Sequence, residues 1–353
     1  MRKGSIRFAV LLLSATAQAA ESAPTADQLI KSDHWKRARV LVEAALKQNA
    51  NDAHALTQMA MIKQRLGDLD GAQKAAEQAI ALDAKNAQAH LALADVLSDK
   101  TEKAGTFRQL GLARSVRREL DAAIAAEPNS VGAHHGAMLF LVEAPGIAGG
   151  DKKKAREEVA TITKLDPLRG LLAQAEYERH EKSSDGGELY RKVHEAAGAN
   201  YDLAAPYCNY LSSQGRWEEA QTCAAGLVKD APDRVSGYTL LAIVHASQEH
   251  WKELDAAIAD AQKNVPDNLN PEFQAARILI ASGADNPRAE RYLRHYLMQE
   301  PELGYPRLSG AHWRLGQVLE KQGRKQDAIA ELETALRMEP DFKPIAADLK
   351  RLK

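Results

Sequence analysis

Two cysteines, eleven histidines and a handful of paired carboxylates are the side chains of this 353-residue chain that could do chemistry. Their spacing argues against most of it. His134 and His135 are adjacent, so on a helix their side chains point about 100° apart and do not easily share one metal ion. His245 and His250 flank a turn, and no HExxH, nucleophile elbow, phosphate loop or dinucleotide fingerprint occurs. Glu157-Glu158 and Glu218-Glu219 lie at helix starts, where negative charge suits the helix dipole. The histidines read as core or surface residues, no metal or cofactor is implied, and the chain is expected not to be an enzyme. Gly149-Gly150 before Asp151-Lys152-Lys153-Lys154 could bring backbone N–H groups to an anion. Asp151, however, stands where an N-cap belongs and would satisfy those groups itself, so a capped turn with solvated lysines is expected.

What must position any site is a repeat. From about Trp35 onward, one pattern recurs with a spacing near 34 residues. Its clearest copy runs Trp313-Arg314-Leu315-Gly316-Gln317-Val318-Leu319, then Gly323, Ala328, Leu332, Ala335 and Pro340. Each copy closes at an anchor position, namely Ala50, Ala84, Pro128, Pro167, Tyr201, Pro232, Pro266, Pro301 and Pro340. A helix, turn, helix, Pro unit of this length predicts a solenoid of stacked hairpins. Small residues are needed where two helices cross closely and large ones where the gap widens. Ala60, Ala72 and Ala79 meet the first need in one copy, and Gly316, Ala328 and Ala335 in another.

These residues resemble the tetratricopeptide-repeat (TPR) family, although most of the family's aromatic positions hold aliphatic residues here. The resemblance implies an all-α fold, an α-solenoid of about nine TPR-like hairpins over residues 20–340, with residues 341–353 as a C-terminal capping helix. The fifth hairpin, residues 168–201, carries polar Glu176 and His180 where a tight pair wants apolar groups. In the family arrangement Cys208 and Cys223 fall on facing levels of the sixth hairpin, so a disulfide is possible, as are two small buried thiols; C-x14-C is no metal signature.

The resemblance also implies a concave ligand face built by the first helix of each hairpin. Matching positions are Thr57, Met61 and Arg65; Leu91 and Asp95; His135 and Leu139; Ala205 and Asn209; Thr239 and Ile243; and Trp313 and Gln317. Co-chaperone TPR domains that clamp an acidic C-terminus carry Lys and Asn where this chain has Thr57 and Met61, so that ligand class is not expected. A mixed groove with Met, Leu, Ile and Trp suits an extended peptide or helix. Two departures from the repeat are expected as long turns, residues 98–107 and 142–150, which contain Phe107, Pro145, Gly146, Gly149 and Gly150. Extensions at the same point of adjacent repeats emerge on one edge of a solenoid, so they should be neighbours and form a non-standard surface.

Composition and the N-terminus address location. Arg2, Lys3 and Arg7, the apolar run Phe8-Ala9-Val10-Leu11-Leu12-Leu13, and Ala17-Gln18-Ala19 make residues 1–19 read as a secretory signal peptide. The run is too short for a resident transmembrane helix. Removing it leaves 44 basic and 48 acidic residues, about −4, which gives no electrostatic reason to expect nucleic acid or an anionic membrane as partner. The expectation is a periplasmic scaffold that binds a protein or peptide of the cell envelope and assists a larger complex. The stretch APGIAGGDKKKA resembles a turn of exported TPR proteins, among them the TPR component associated with TRAP transporters, which implies an alternative: a solute-binding accessory protein of a transporter.

Overall fold

Several connectors end in a residue that caps the helix that follows. Asp52, Asn86 and Ser130 each accept a hydrogen bond from the N–H three residues on, at 3.0, 3.0 and 3.4 Å, which satisfies a donor that a helix start leaves free. The computed structural model describes residues 23–182 and 186–353. Residues 1–19 therefore lie outside the described residues, as do the side chains of Thr106 and Phe107.

Among the described residues, nineteen α-helices and no strand form nine hairpins and a final helix. The first four hairpins pair α1 (Ala26–Lys31) with α2 (Trp35–Gln48), α3 (Ala53–Leu66) with α4 (Leu69–Leu82), α5 (Ala87–Lys103) with α6 (Thr106–Ala126), and α7 (Val131–Glu143) with α8 (Lys152–Leu165). Then come α9 (Pro167–Glu181) with α10 (Gly187–Ala197), α11 (Tyr201–Ser213) with α12 (Trp217–Asp230), and α13 (Val235–Ser247) with α14 (Trp251–Asn264). The last two pair α15 (Asn270–Ser282) with α16 (Asn286–Tyr296) and α17 (Leu308–Lys321) with α18 (Lys325–Met338); α19 (Lys343–Leu352) follows. The small residues sit at the crossings: Ala60, Ala72, Ala79, Ala328 and Ala335 are fully buried. A Cβ on Gly316 would stand 2.9 Å from Leu332 Cγ, so α17 and α18 approach as closely as they do only because that side chain is missing. Ile345, Leu349 and Leu352 of α19 are buried on the last hairpin.

A second device joins connector to helix in three of the hairpins. His90, His134 and Tyr238, each fourth in its helix, reach back to the carbonyls of Ala84, Pro128 and Pro232 at 3.3, 2.9 and 3.0 Å. The two histidines also meet Glu119 and Glu158 through Nδ1, at 2.8 and 2.6 Å. His134 is thus a buried structural tie.

Three features depart from the sequence-based expectations. Most of residues 98–107 is helical rather than a long turn: α5 runs to Lys103, only Ala104 and Gly105 connect, and α6 starts at Thr106. Ser98 and Thr101 donate back to the carbonyls of Ala94 and Leu97, at 3.0 and 2.8 Å, and Lys100 Nζ is held by Asp70 and Gln73 of the preceding hairpin at 2.5 and 2.6 Å. The extra residues therefore lengthen both helices. In the fifth hairpin, polar Glu176 and His180 turn out to face the fourth: Glu176 meets His135 Nε2, and His180 lies 3.4 Å from Glu143.

The third departure is larger. Hairpins do not pack on their neighbours alone, because the superhelix curls until its first two hairpins meet the connectors of hairpins six to nine. The Lys36 N–H donates to Glu302 Oε1 at 2.8 Å, and its Nζ donates to the carbonyls of Asp267 and Glu300 at 2.9 and 2.7 Å. Arg234 pairs with Asp33 at 3.3 Å. Leu303 is buried in one cluster with Trp35, Val42, Ala55 and Ile62, while Arg65 stacks 4.8 Å above the Trp35 ring.

Cys208 and Cys223 form a disulfide between α11 and α12, with Cα atoms 5.4 Å apart and 15 residues of separation. Closing a loop of that length stabilises the fold by about 3 kcal/mol on the chain-entropy model. Paired Cys208→Ala and Cys223→Ala substitution should therefore shift the urea midpoint down by that equivalent, and an unchanged midpoint would show the bridge to be energetically idle.

Candidate ligand-binding groove

The lengthened third hairpin and the 144–148 turn of the fourth enclose a cleft. Helix α6 offers Leu110, Ala113, Val116 and Leu120, spaced to share one helical face. Helix α5 supplies Ala94, Asp95 and Ser98, helix α7 supplies Leu139, Phe140 and Glu143, and the turn closes one side with Pro145, Ile147 and Ala148. The volume is about 620 Å³. Ile147 stands at the rim, 79% exposed. The charged residues of the lining, Asp95, Glu102 and Glu143, are all acidic. A cleft of similar volume along α10–α12, about 600 Å³, is ringed instead by Glu195, Glu218, Glu219 and Asp230 and offers less aliphatic contact.

Tight backbone geometry holds the turn. Ala148 N–H and Gly150 N–H both donate to the Pro145 carbonyl, at 2.8 and 3.2 Å, and Asp151 N–H donates to Leu141 at 2.9 Å. A Cβ on Gly150 would lie 1.7 Å from the Ala144 carbonyl oxygen, so no other residue fits. Gly149 has φ 106° and packs by Phe140, whereas Gly146 faces open space. Asp151 caps α8, accepting from Lys153 and Lys154 N–H at 3.0 and 3.2 Å, so that helix start is already occupied by a carboxylate. Lys152 pairs with Glu181 at 2.9 Å.

Asp95 is exposed to water in the cleft. Desolvation by the neighbouring cleft walls, with Asp99 adding its negative charge and Arg65 opposing, raises its carboxyl to about 6. Between the ordinary carboxylate range and 6, the folded chain keeps a proton that the unfolded chain releases. Stability contributed by this group therefore falls as pH rises through that window.

The other positions inferred for the concave face fall in several surroundings. Asp95 and Leu139 line the cleft together with Pro145. Thr57 is buried, its hydroxyl donating to the Ala53 carbonyl at 2.8 Å and accepting from Asn86 at 3.4 Å, so it serves hairpin packing. Met61 is half-buried between two core clusters. Arg65 belongs to the closure, where it also lies against Gly304. His135 is paired with Glu176, and Asn209 is exposed on α11. Trp313 and Gln317 are covered by the last helix: both donate to Asp348 Oδ2, at 2.7 and 3.0 Å, and Phe342 meets the Trp313 ring edge-on. The cap thus fills that end of the face, which the repeat pattern alone leaves open.

Residues of the closure, His34, Lys36, Asp267, Glu302 and Leu303, were not legible as a group. One signal does stand in the sequence: the connector after Pro301 continues through Gly304-Tyr305-Pro306 before α17 begins at Leu308, whereas α15 begins at Asn270, soon after Pro266.

Two family models, each described as tetratricopeptide repeat, match residues 309–342 and 57–104. No curated protein matches the chain. Among solved structures, a thermophilic TPR protein of Thermus thermophilus is 21% identical over 53% of this chain and 95% of its own, with a TM-score of 0.46. Yeast Tom70 is 12% identical over 93% of this chain and 86% of its own, with a TM-score of 0.49. A tetratricopeptide repeat protein from Parabacteroides merdae is 14% identical, covers 93% of this chain and 95% of its own, and has a TM-score of 0.33.

Proposed function

The chain belongs to the tetratricopeptide-repeat family, and from that premise we propose that it is an exported, non-enzymatic scaffold that holds an envelope protein partner in the cleft between its third and fourth hairpins. The observation that carries this reading is the cleft itself: an aliphatic floor, an exposed Ile147 and a rim whose charges are all negative. Such a surface suits a segment that inserts an apolar side chain and places a Lys or Arg beside Asp95. Export is supported by the character of residues 1–19, and the Cys208–Cys223 bridge suits an oxidising compartment such as the periplasm. No described helix is long and apolar enough to cross a membrane.

A photoreactive residue at Ile147, with one at exposed Val40 as control, tests the reading in the native envelope. One protein should be captured from Ile147 and not from Val40. Asp95→Asn should weaken that capture at pH 7.5, where the carboxylate is ionised, and change it little at pH 5, where the proton is already bound. Absence of any protein adduct favours the second reading, a solute-binding accessory of a transporter. The cleft volume supports that alternative, since pockets of roughly 300–1,000 Å³ hold small molecules.

A further inference from the structure

His34, Asp267 and Glu302 are far apart in sequence and come together where the superhelix closes. His34 precedes α2, Asp267 stands in the connector between α14 and α15, and Glu302 lies in the connector between α16 and α17. One donor atom from each lies within 4.8 Å of the other two. His34 and Glu302 are only 6% and 2% exposed. Glu302 Oε1 accepts from Lys36 N–H and Leu303 N–H, both at 2.8 Å, while its Oε2 is buried without a partner. Asp267 Oδ2 is in the same condition, and His34 Nδ1 stands 3.8 Å from it, too far for a hydrogen bond. Lys36 does not neutralise the pair by hydrogen bonding, because its ammonium is directed to the backbone carbonyls of Asp267 and Glu300.

Glu302 Oε2 has no partner to offset its desolvation, and Asp267 Oδ2 has only the His34 imidazole, facing it as a loose ion pair at 3.8 Å, an expensive arrangement in a buried seam. A divalent cation offers that partner to all three at once. We propose that His34, Asp267 and Glu302 bind a first-row divalent cation, with zinc as its representative, which fastens the first hairpin to the connectors of the C-terminal half. One nitrogen and two carboxylate oxygens are a donor set zinc accepts, with a water completing the tetrahedron. Bonds of about 2.0–2.2 Å need the donors to draw inward by roughly an ångström at the widest pair. Lys36 then holds the backbone of two of the liganding segments in register.

The test uses the full chain, stripped with EDTA and titrated with zinc chloride against a chromophoric chelator. One equivalent should bind, and Glu302→Gln and Asp267→Asn should each weaken binding by about 100-fold or more. Glu302→Gln keeps an acceptor for the Lys36 and Leu303 N–H groups, so the fold is preserved. On the unsubstituted chain, hydrogen exchange should slow on zinc addition in the segments around His34, 265–269 and 299–307. Binding below one equivalent, retention of binding by both variants, or protection confined to other segments would overturn the assignment. This inference concerns the closure and stands whether or not the 94–148 cleft is the partner site.

Discussion

Trp35→Ala should open the closed superhelix and lower stability by about 3–5 kcal/mol, the range for removing a large buried aromatic. Trp35 is 4% exposed and packs in one cluster with Val42, Ala55, Ile62 and Leu303, so a single side chain is shared between the start of the chain and the connector before α17. Without it Leu303 loses its seat, and Arg65 loses the ring it covers at 4.8 Å. The seam then rests on its polar contacts, the Arg234–Asp33 pair and the hydrogen bonds of Lys36 to Glu302, Asp267 and Glu300, the latter contributing about 1.5–3 kcal/mol each. Urea unfolding should show the loss in midpoint, and small-angle scattering should show an increased radius of gyration. Trp35→Phe should produce a smaller version of both. Unchanged scattering together with an unchanged midpoint would mean the seam does not hold the ends together.

Gly150→Ala should cost about 3 kcal/mol and abolish capture at Ile147. The added methyl would stand 1.7 Å from the Ala144 carbonyl oxygen and 2.7 Å from its carbon, and neither backbone atom can yield without moving the turn. The movement breaks the bonds that Gly150 and Asp151 N–H make to Pro145 and Leu141, and it displaces the wall formed by Pro145, Ile147 and Ala148. Gly146→Ala in the same turn meets nothing and should stay within about 0.5 kcal/mol of the parent. Thermal or urea midpoints of the two variants, read beside crosslinking yield, separate a specific collapse of the cleft wall from general intolerance of the turn.

The hairpins were legible because their determinants are local. Small residues such as Ala60, Ala72 and Ala79 fall at crossings, and capping residues such as Asn86 and Ser130 open helices, all within one 34-residue window. Repeat length misled at residues 98–107, where residues in excess of the repeat read as a long turn but extend α5 and α6, with Ser98 and Thr101 folding their hydroxyls back onto α5. The concave face was legible in register and not in occupancy: that Asp348 would claim Trp313 and Gln317 depends on how α19 lies across α17. Closure was illegible for a different reason. Small rotations between successive hairpins accumulate along the chain, and no single window contains their sum.

That closure alters what kind of folding problem the chain presents. An open array of hairpins adds units one after another, each stabilised by the last, and its ends fray independently. Here Lys36 meets Glu302 across 266 residues, so the first hairpin gains part of its support only when nearly the whole chain has been made. Contacts of that span slow folding, because a very long loop must close before the contact yields any stability. They also join the two ends into one cooperative unit. Truncation before Glu302 should therefore loosen the N-terminal hairpin as well as the C-terminal one, a long-distance effect that a string of independent repeats does not transmit.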